Sequence, residues 1–259
     1  MAGTTWRIIR IDGNERVDRD DRIAEEFALT IQLDGEEFAT LVCTPSDLDD
    51  LVIGFLASEG VIRRAEEIKD LSVDEKRGFA YVGLFVPQSV GKEFYAKRII
   101  GSCCGKSRQF YFYNDARTAK TITGGIRLTA AQCFSLMKEL QSSSLAFWET
   151  GGVHNAALAD ETGLKTARTD IGRHNALDKL FGHALRHRLE AKRHAIVFSG
   201  RISSEVVLKT AKIGCPILLS KSAPTDLALR LAEDLGITCA GFIRGDSMNI
   251  YTHAERILA

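Results

Sequence analysis

Two adjacent thiols, Cys103 and Cys104, stand in the stretch Gly101-Ser102-Cys103-Cys104-Gly105-Lys106-Ser107-Arg108. Glycine and serine favour a loop, which keeps sulfur accessible. Lys106 and Arg108 set two fixed cations within four positions of Cys104. A nearby cation favours the thiolate, the nucleophilic form of sulfur. The chemistry indicated is nucleophilic sulfur handling, with Cys104 as the bearer. The plainer reading is that such a cysteine fills a small apolar gap in the core.

A second group of residues suits anions. Three polar turns each follow an apolar run: Ser199-Gly200-Arg201-Ile202-Ser203-Ser204, Ser220-Lys221-Ser222-Ala223-Pro224-Thr225 and Phe242-Ile243-Arg244-Gly245-Asp246-Ser247. In open α/β sheets, ligands bind beyond the carboxyl ends of strands. Small residues there expose backbone N–H groups at a helix start, and Arg201 adds charge, which suits a phosphate. Arg244 can meet phosphate in the same way, and Asp246 can accept from a guanine edge or a ribose. Polar residues at such places also merely cap helices, but three together point to a nucleotide-like anion. Neither G-x-x-x-x-G-K-[ST] nor G-x-G-x-x-G occurs, so the nucleotide is expected as a recognised group rather than an energy source. Two histidines also stand out, His154 in Gly151-Gly152-Val153-His154-Asn155 and His174 in Asp170-Ile171-Gly172-Arg173-His174-Asn175. Each either lines a site and moves protons or satisfies buried polar groups and caps the next helix. Asp170 and Asn175 fit that capping role too.

The elements that must position these residues are legible in part. Residues 6–11 read as a strand and Asp12-Gly13 as a turn. The charged run from Asp18 to Glu25 reads as solvated. Phe27 to Leu33 and Phe38 to Cys43 read as two strands joined at Asp34-Gly35. Pro45-Ser46-Asp47 opens a helix in which Leu48, Leu51, Val52, Phe55 and Leu56 recur at helical spacing, ending near Gly60. Another strand pair is expected at 71–73 and 79–86. Phe110-Tyr111-Phe112-Tyr113 is either a strand or the aromatic wall of a cavity. Gly124-Gly125 breaks the chain, and Leu128-Thr129 introduces a helix with Cys133, Leu136, Met137 and Leu140 on one face. From Ala176 onward the order is helix, strand 195–199, helix 204–213, strand 216–220, helix 225–235 and strand 237–243, with a further strand near Met248-Tyr251. That rhythm implies a parallel α/β core. The fold class is therefore α/β: a strand-rich mixed lobe over residues 1–122 ending in the cysteine loop, then an α/β cofactor-binding lobe over 123–259.

Composition limits the partners. The 259 residues carry 34 basic and 34 acidic side chains, so no general electrostatic grip on nucleic acid or an anionic membrane is indicated. The start lacks an apolar signal core and no run is long enough to span a bilayer, which points to the cytoplasm. The six cysteines, at 43, 103, 104, 133, 215 and 239, form no paired C-x-x-C units. Reduced thiols are expected, without a structural zinc. Cys133, Cys215 and Cys239 read as core. A zinc nucleoside deaminase would need H-x-E and P-C-x-x-C, whereas His154 is followed by Asn155-Ala156 and Cys215-Pro216 has no partner cysteine.

Taken together, these segments resemble the formate dehydrogenase accessory sulfurtransferases (FdhD type). The resemblance rests on Glu25-Glu26-Phe27-Ala28-Leu29, Ile53-Gly54-Phe55-Leu56-Ala57-Ser58-Glu59-Gly60, the cysteine loop, Gly151-Gly152-Val153-His154, Thr169 to Asn175, Ser199-Gly200-Arg201 and Gly241 to Gly245. It implies a C-terminal lobe like the cytidine deaminase fold. It also implies that a cysteine desulfurase supplies sulfur as a persulfide on Cys104, for delivery to the bis(molybdopterin guanine dinucleotide) molybdenum cofactor of formate dehydrogenase. The family loop reads Cys-Gly-x-Cys-Gly. Cys104-Gly105-Lys106-Ser107 matches its first half with Ser107 in the second cysteine's place, or Cys104-Gly105 matches its second half. Cys103 would be an auxiliary thiol, and Lys106 would hold charge on sulfur. The family's guanine-dinucleotide contact maps onto Phe242, Ile243, Arg244, Gly245, Asp246 and Ser247, with Ser199, Gly200, Arg201 and His174 nearby, and implies a GDP-like ligand. A homodimer is implied, serving a formate dehydrogenase catalytic subunit. A non-catalytic cofactor carrier would keep the turns and need no reactive thiol.

Overall fold

The computed structural model describes residues 3–86, 99, 100, 119 and 121–259. The cysteine loop, with Cys103, Cys104 and Lys106, and the aromatic run 110–113 lie outside the described residues. The chain opens as an antiparallel ribbon of β1 (Thr4–Asp12) and β2 (Glu15–Ile23). The charged run expected to be merely solvated is thus largely strand, although an exposed one.

Five strands form the N-terminal sheet: β3 (Phe27–Leu33), β4 (Glu36–Cys43), β5 (Ile68–Asp74), β6 (Phe79–Leu84) and β7 (Ile99–Ile100), in the order β5-β6-β3-β4-β7. The β3–β4 turn is Asp34-Gly35, at φ 49° and 84°. Two successive positive φ values are what a two-residue type I′ hairpin needs, and they explain that residue pair. Against this sheet packs α1 (Leu48–Ser58), with Asp49 and Asp50 in its first turn and Gly60 beyond its end at φ 76°.

The C-terminal sheet has the order β10-β9-β11-β12-β13-β14. Its centre is the expected parallel set, β11 (Ala195–Phe198), β12 (Ile217–Ser220) and β13 (Thr238–Arg244), with β14 (Ser247–Thr252) antiparallel at one edge. On the other side lie β9 (His154–Asp160) and β10 (Gly163–Asp170), an antiparallel pair. Five successive residues of β9, Asn155 to Ala159, are buried. With both faces covered there is no alternation to betray a strand.

Helices α2 (Ala130–Ser143) and α3 (Leu145–Thr150) come before this pair; α4 (Arg173–Arg186), α5 (Ser204–Ile213) and α6 (Asp226–Leu235) come after it. Helix α2 packs Cys133, Leu136, Met137 and Leu140 onto one sheet face with Ala157, Val197 and Leu219. On the other face, α4 and α5 share a core with α1 and the N-terminal sheet. Two two-residue strands, β8 (Leu128–Thr129) and β15 (Ile257–Leu258), pair in parallel. Among the described residues, no helix is long and apolar enough to cross a membrane.

A polar knot joins α1 to α4 and β10. Buried Asp50 accepts from Arg168 Nε and Nη2 at 2.9 and 2.7 Å and from Arg186 Nη1 at 2.8 Å. Arg168 Nη2 also meets His183 Nδ1 at 2.6 Å. Guanidinium nitrogens only donate, so Nδ1 must accept and the imidazole must be neutral. Burial, helped by the Arg168 charge, holds His183 below its ordinary 6.5. The unfolded chain then binds the proton more readily, so this group's contribution to stability is present above pH 6.5 and fades as pH falls below it. Melting temperatures from pH 7 to pH 5 should therefore fall less steeply in His183→Gln, which keeps an acceptor but does not titrate. Parallel curves for the variant and the parent would refute this.

Candidate functional site at the carboxyl edge of the C-terminal sheet

Because β11, β12 and β13 are parallel, their carboxyl ends share one edge. The antiparallel β9 starts at that edge with His154 and Asn155, and β10 finishes there at Asp170, paired with His154. The three turns singled out in the sequence are joined along it. Ser220 Oγ donates to Gly200 O at 2.7 Å and accepts from Ser222 N at 3.0 Å. Phe242 N donates to Ser222 O at 3.1 Å. Buried hydrogen bonds of this kind fix the turns relative to one another.

Within the third turn, Phe242 has φ 54° at a register shift of β13 against β14. An aromatic residue in the left-handed region is strained, and such strain concentrates at ligand clamps and similar sites. The Arg244 guanidinium lies 6.0 Å from the centre of the Phe242 ring. Ile243 is buried, whereas Arg244, Gly245, Asp246 and Ser247 are exposed at the tip. In the first turn Arg201 is exposed. Ser203 has the ordinary capping role, accepting from Val206 N at 3.5 Å at the start of α5.

Between this edge, α2 and α3 lies a cavity of about 420 Å³. Its lining includes Ser199, Lys221, His154 and Asn155 on the polar side, and Met137, Leu140, Phe147, Val153 and Ile171 on the apolar side. Such a mixture suits a ligand with an apolar body and a few fixed polar groups. His154 Nδ1 is 3.4 Å from Ser199 Oγ. Burial pushes His154 below its ordinary value; the charges of Arg173 and His174 act in the same direction and Asp170 opposes them. His174 is not part of the lining. Its Nε2 lies 2.8 Å from Glu205 Oε2 on α5, and burial lowers it in spite of that carboxylate. The structure thus brings Ser199 and His154 to the cavity, sets the 242–247 turn on the same edge, and ties His174 to α5.

Sequence reasoning missed Asn155, Gln141 and the apolar wall. Met137 and Leu140 were read as one core face of α2, and part of that face is cavity wall. Asn155 did carry a signal, as a lone carboxamide ahead of Ala-Ala-Leu-Ala. Asp170 and Asn175 do not cap α4, whose N-cap is Gly172 without a side-chain bond. Asp170 Oδ2 instead accepts from Thr44 N at 3.0 Å, and Asn175 Nδ2 donates to Val42 O at 2.9 Å. These bonds bind the end of β4 to the β10–α4 turn. Strand β7 pairs with β4 at Thr40 and Leu41.

Cys43, Cys133, Cys215 and Cys239 are free and buried. Burial pushes Cys43 and Cys239 to about 12 and Cys133 to about 11, and raises Cys215 as well. All four are held as inert thiols.

Fold and edge together define an α/β protein with a cleft at the carboxyl ends of its parallel strands, lined by apolar side chains and by His154, Asn155, Ser199 and Lys221. Residues 24–258 match the model of the FdhD/NarQ family, and the chain belongs to that family. The "Sulfur carrier protein FdhD" of Geobacillus kaustophilus is 62% identical over 242 residues, 93% of this chain and 92% of that one. Its namesake in Bacillus licheniformis is 55% identical over 98% of this chain and 97% of its own. A crystal structure of a protein from Desulfotalea psychrophila, assigned as a formate dehydrogenase accessory protein, superposes with a TM-score of 0.81 at 28% identity, covering 100% of both chains.

Proposed function

We propose that this protein is a cytoplasmic sulfur carrier that takes persulfide sulfur from a cysteine desulfurase. It presents that sulfur to the bis(molybdopterin guanine dinucleotide) molybdenum cofactor, bound as its substrate, for a formate dehydrogenase catalytic subunit. In the first step, the Cys104 thiolate attacks the outer sulfur of the desulfurase persulfide. One S–S bond forms as another breaks, and the desulfurase cysteine leaves as thiolate, so the exchange is neutral in electrons. Lys106 and Arg108 hold the charge on Cys104, and Cys103 serves as auxiliary thiol. Arg244 and the Ser199–Ser203 turn hold phosphates, in the manner of a GDP-like ligand, with the guanine against the 242–247 turn. A homodimer is the working assembly.

The observation that carries this reading is the state of the other thiols. Four of the six cysteines are sealed as high-pKa thiols in the core, which makes Cys103 and Cys104 the remaining candidates. Support also comes from relatives named as sulfur carriers at 50–62% identity. The test is mass spectrometry after incubation with a cysteine desulfurase and free cysteine. One added sulfur on Cys104 is expected, and none on Cys104→Ala. A Cys104→Ala protein that still takes up sulfur would remove the assignment. A parent chain that takes up none would favour a non-catalytic cofactor carrier.

A further inference from the structure

The side chains at the polar end of the cavity mainly offer donors. Asn155 is 5% exposed, and its Oδ1 accepts from Ser144 Oγ and from Thr169 Oγ1, both at 2.7 Å. Two hydroxyl donors on one oxygen fix which way round the carboxamide lies. The opposite end, Nδ2 with its two hydrogens, meets no acceptor among the described residues, and Asn155 lines the cavity. Its backbone is pinned on both sides, N to Ser199 Oγ at 2.9 Å and O to Ser199 N at 3.0 Å. The Ser199 hydroxyl therefore has its hydrogen free for His154 Nδ1, 3.4 Å away. Lys221 Nζ gives one hydrogen to Gln141 Oε1 at 3.1 Å and keeps two. Close by, Arg173 Nε is buried without an acceptor, and the Arg173 charge acts on His154.

We propose that this end of the cavity receives an anionic acceptor group carried on an apolar body, and that Asn155 is the donor that selects it. The proposal rests on the reading that this edge holds the cofactor. A group that itself donates would face the Asn155 hydrogens and the Lys221 ammonium donor to donor, a desolvation cost without return. A phosphate and a sulfur anion both satisfy the donor set.

The variant Asn155→Asp tests it. Aspartate keeps the volume and the oxygen that Ser144 and Thr169 bond, and replaces the donor by carboxylate oxygen. On the ¹⁵N-labelled full chain, the side-chain amide pair missing from Asn155→Asp identifies Asn155. Titration with inorganic pyrophosphate shifts that pair if the source is phosphate; titration with hydrosulfide shifts it if the source is sulfur. The anion that acts should bind Asn155→Asp about tenfold more weakly or worse, the loss of a charged hydrogen bond. No shift with either anion, or equal affinity in the variant, overturns the proposal. Calorimetry with GDP separates it from its premise. GDP bound by the parent while neither pyrophosphate nor hydrosulfide acts through Asn155 sinks the Asn155 role and leaves the cofactor reading standing. Pyrophosphate bound through Asn155 without any GDP binding does the reverse.

Discussion

Replacing Gly54 by alanine should remove a large share of the chain's folding stability. A β-carbon at 54 would lie 1.8 Å from Asp178 O and 2.7 Å from Gly182 N, both backbone atoms of α4. The contact is reciprocal, since a β-carbon at Gly182 would lie 1.9 Å from Asp50 O on α1. Neither glycine has a positive φ, so what each supplies is the absence of a side chain where two helices cross. Overpacking costs about 1–3 kcal/mol where side chains can give way. Here the obstacle is helix backbone, and relief requires moving all of α1 against α4. The expected loss is therefore at least about 3 kcal/mol, out of the roughly 5–15 kcal/mol that holds a domain folded. Urea unfolding followed by circular dichroism measures it, for Gly54→Ala and Gly182→Ala alike. Either variant within about 1 kcal/mol of the parent would show that the crossing is looser than these distances allow.

The difference between Gly54 and Asp34-Gly35 shows what a sequence discloses. The hairpin at 34–35 follows from local backbone preference, and two residues suffice to announce it. The limits of α1, α5 and α6 and the strand–helix–strand order after Ala195 are equally local. That order fixes where the carboxyl edge lies, so the placing of all three turns along it was legible in the sequence. What stayed hidden depends on neighbours distant in sequence. Asp170 looked like a helix cap because its partner Thr44 is 126 residues away. Strand β9 was hidden by burial on both faces. The cavity was hidden because its wall uses the same leucine and methionine types as the core of α2. Nothing in the local sequence marks Lys179, which is 0% exposed in the fold.

That lysine carries the second large effect. Lys179 Nζ lies 2.7 Å from Asp170 Oδ2 and donates to Thr44 O and Thr169 O, both at 3.1 Å. It therefore ties the end of β4, the end of β10 and the body of α4 into one unit. Lys179→Met keeps most of the stem's volume but removes every one of these bonds and leaves the Asp170 carboxylate buried beside apolar sulfur. Breaking a buried pair from one side costs about 3–5 kcal/mol, and that loss is expected here by chemical denaturation. The double variant Lys179→Met with Asp170→Asn removes both charges. Asparagine at 170 removes the buried charge but keeps one oxygen for two donors, since Thr44 N and Gly172 N bond different carboxylate oxygens at 3.0 and 2.7 Å; the one bond lost costs about 1–3 kcal/mol, less than the unpaired buried charge. The double variant should therefore be more stable than Lys179→Met alone. Were it less stable by the full sum of the two single changes, the charges would not be coupled and the tie would be packing. Since the same bonds hold the start of α4, where Arg173 stands, Lys179→Met should also disturb the Asn155 amide signal at temperatures where the chain is still folded. A signal unchanged there would mean that the cavity is held by its own sheet and not by the clasp to β4.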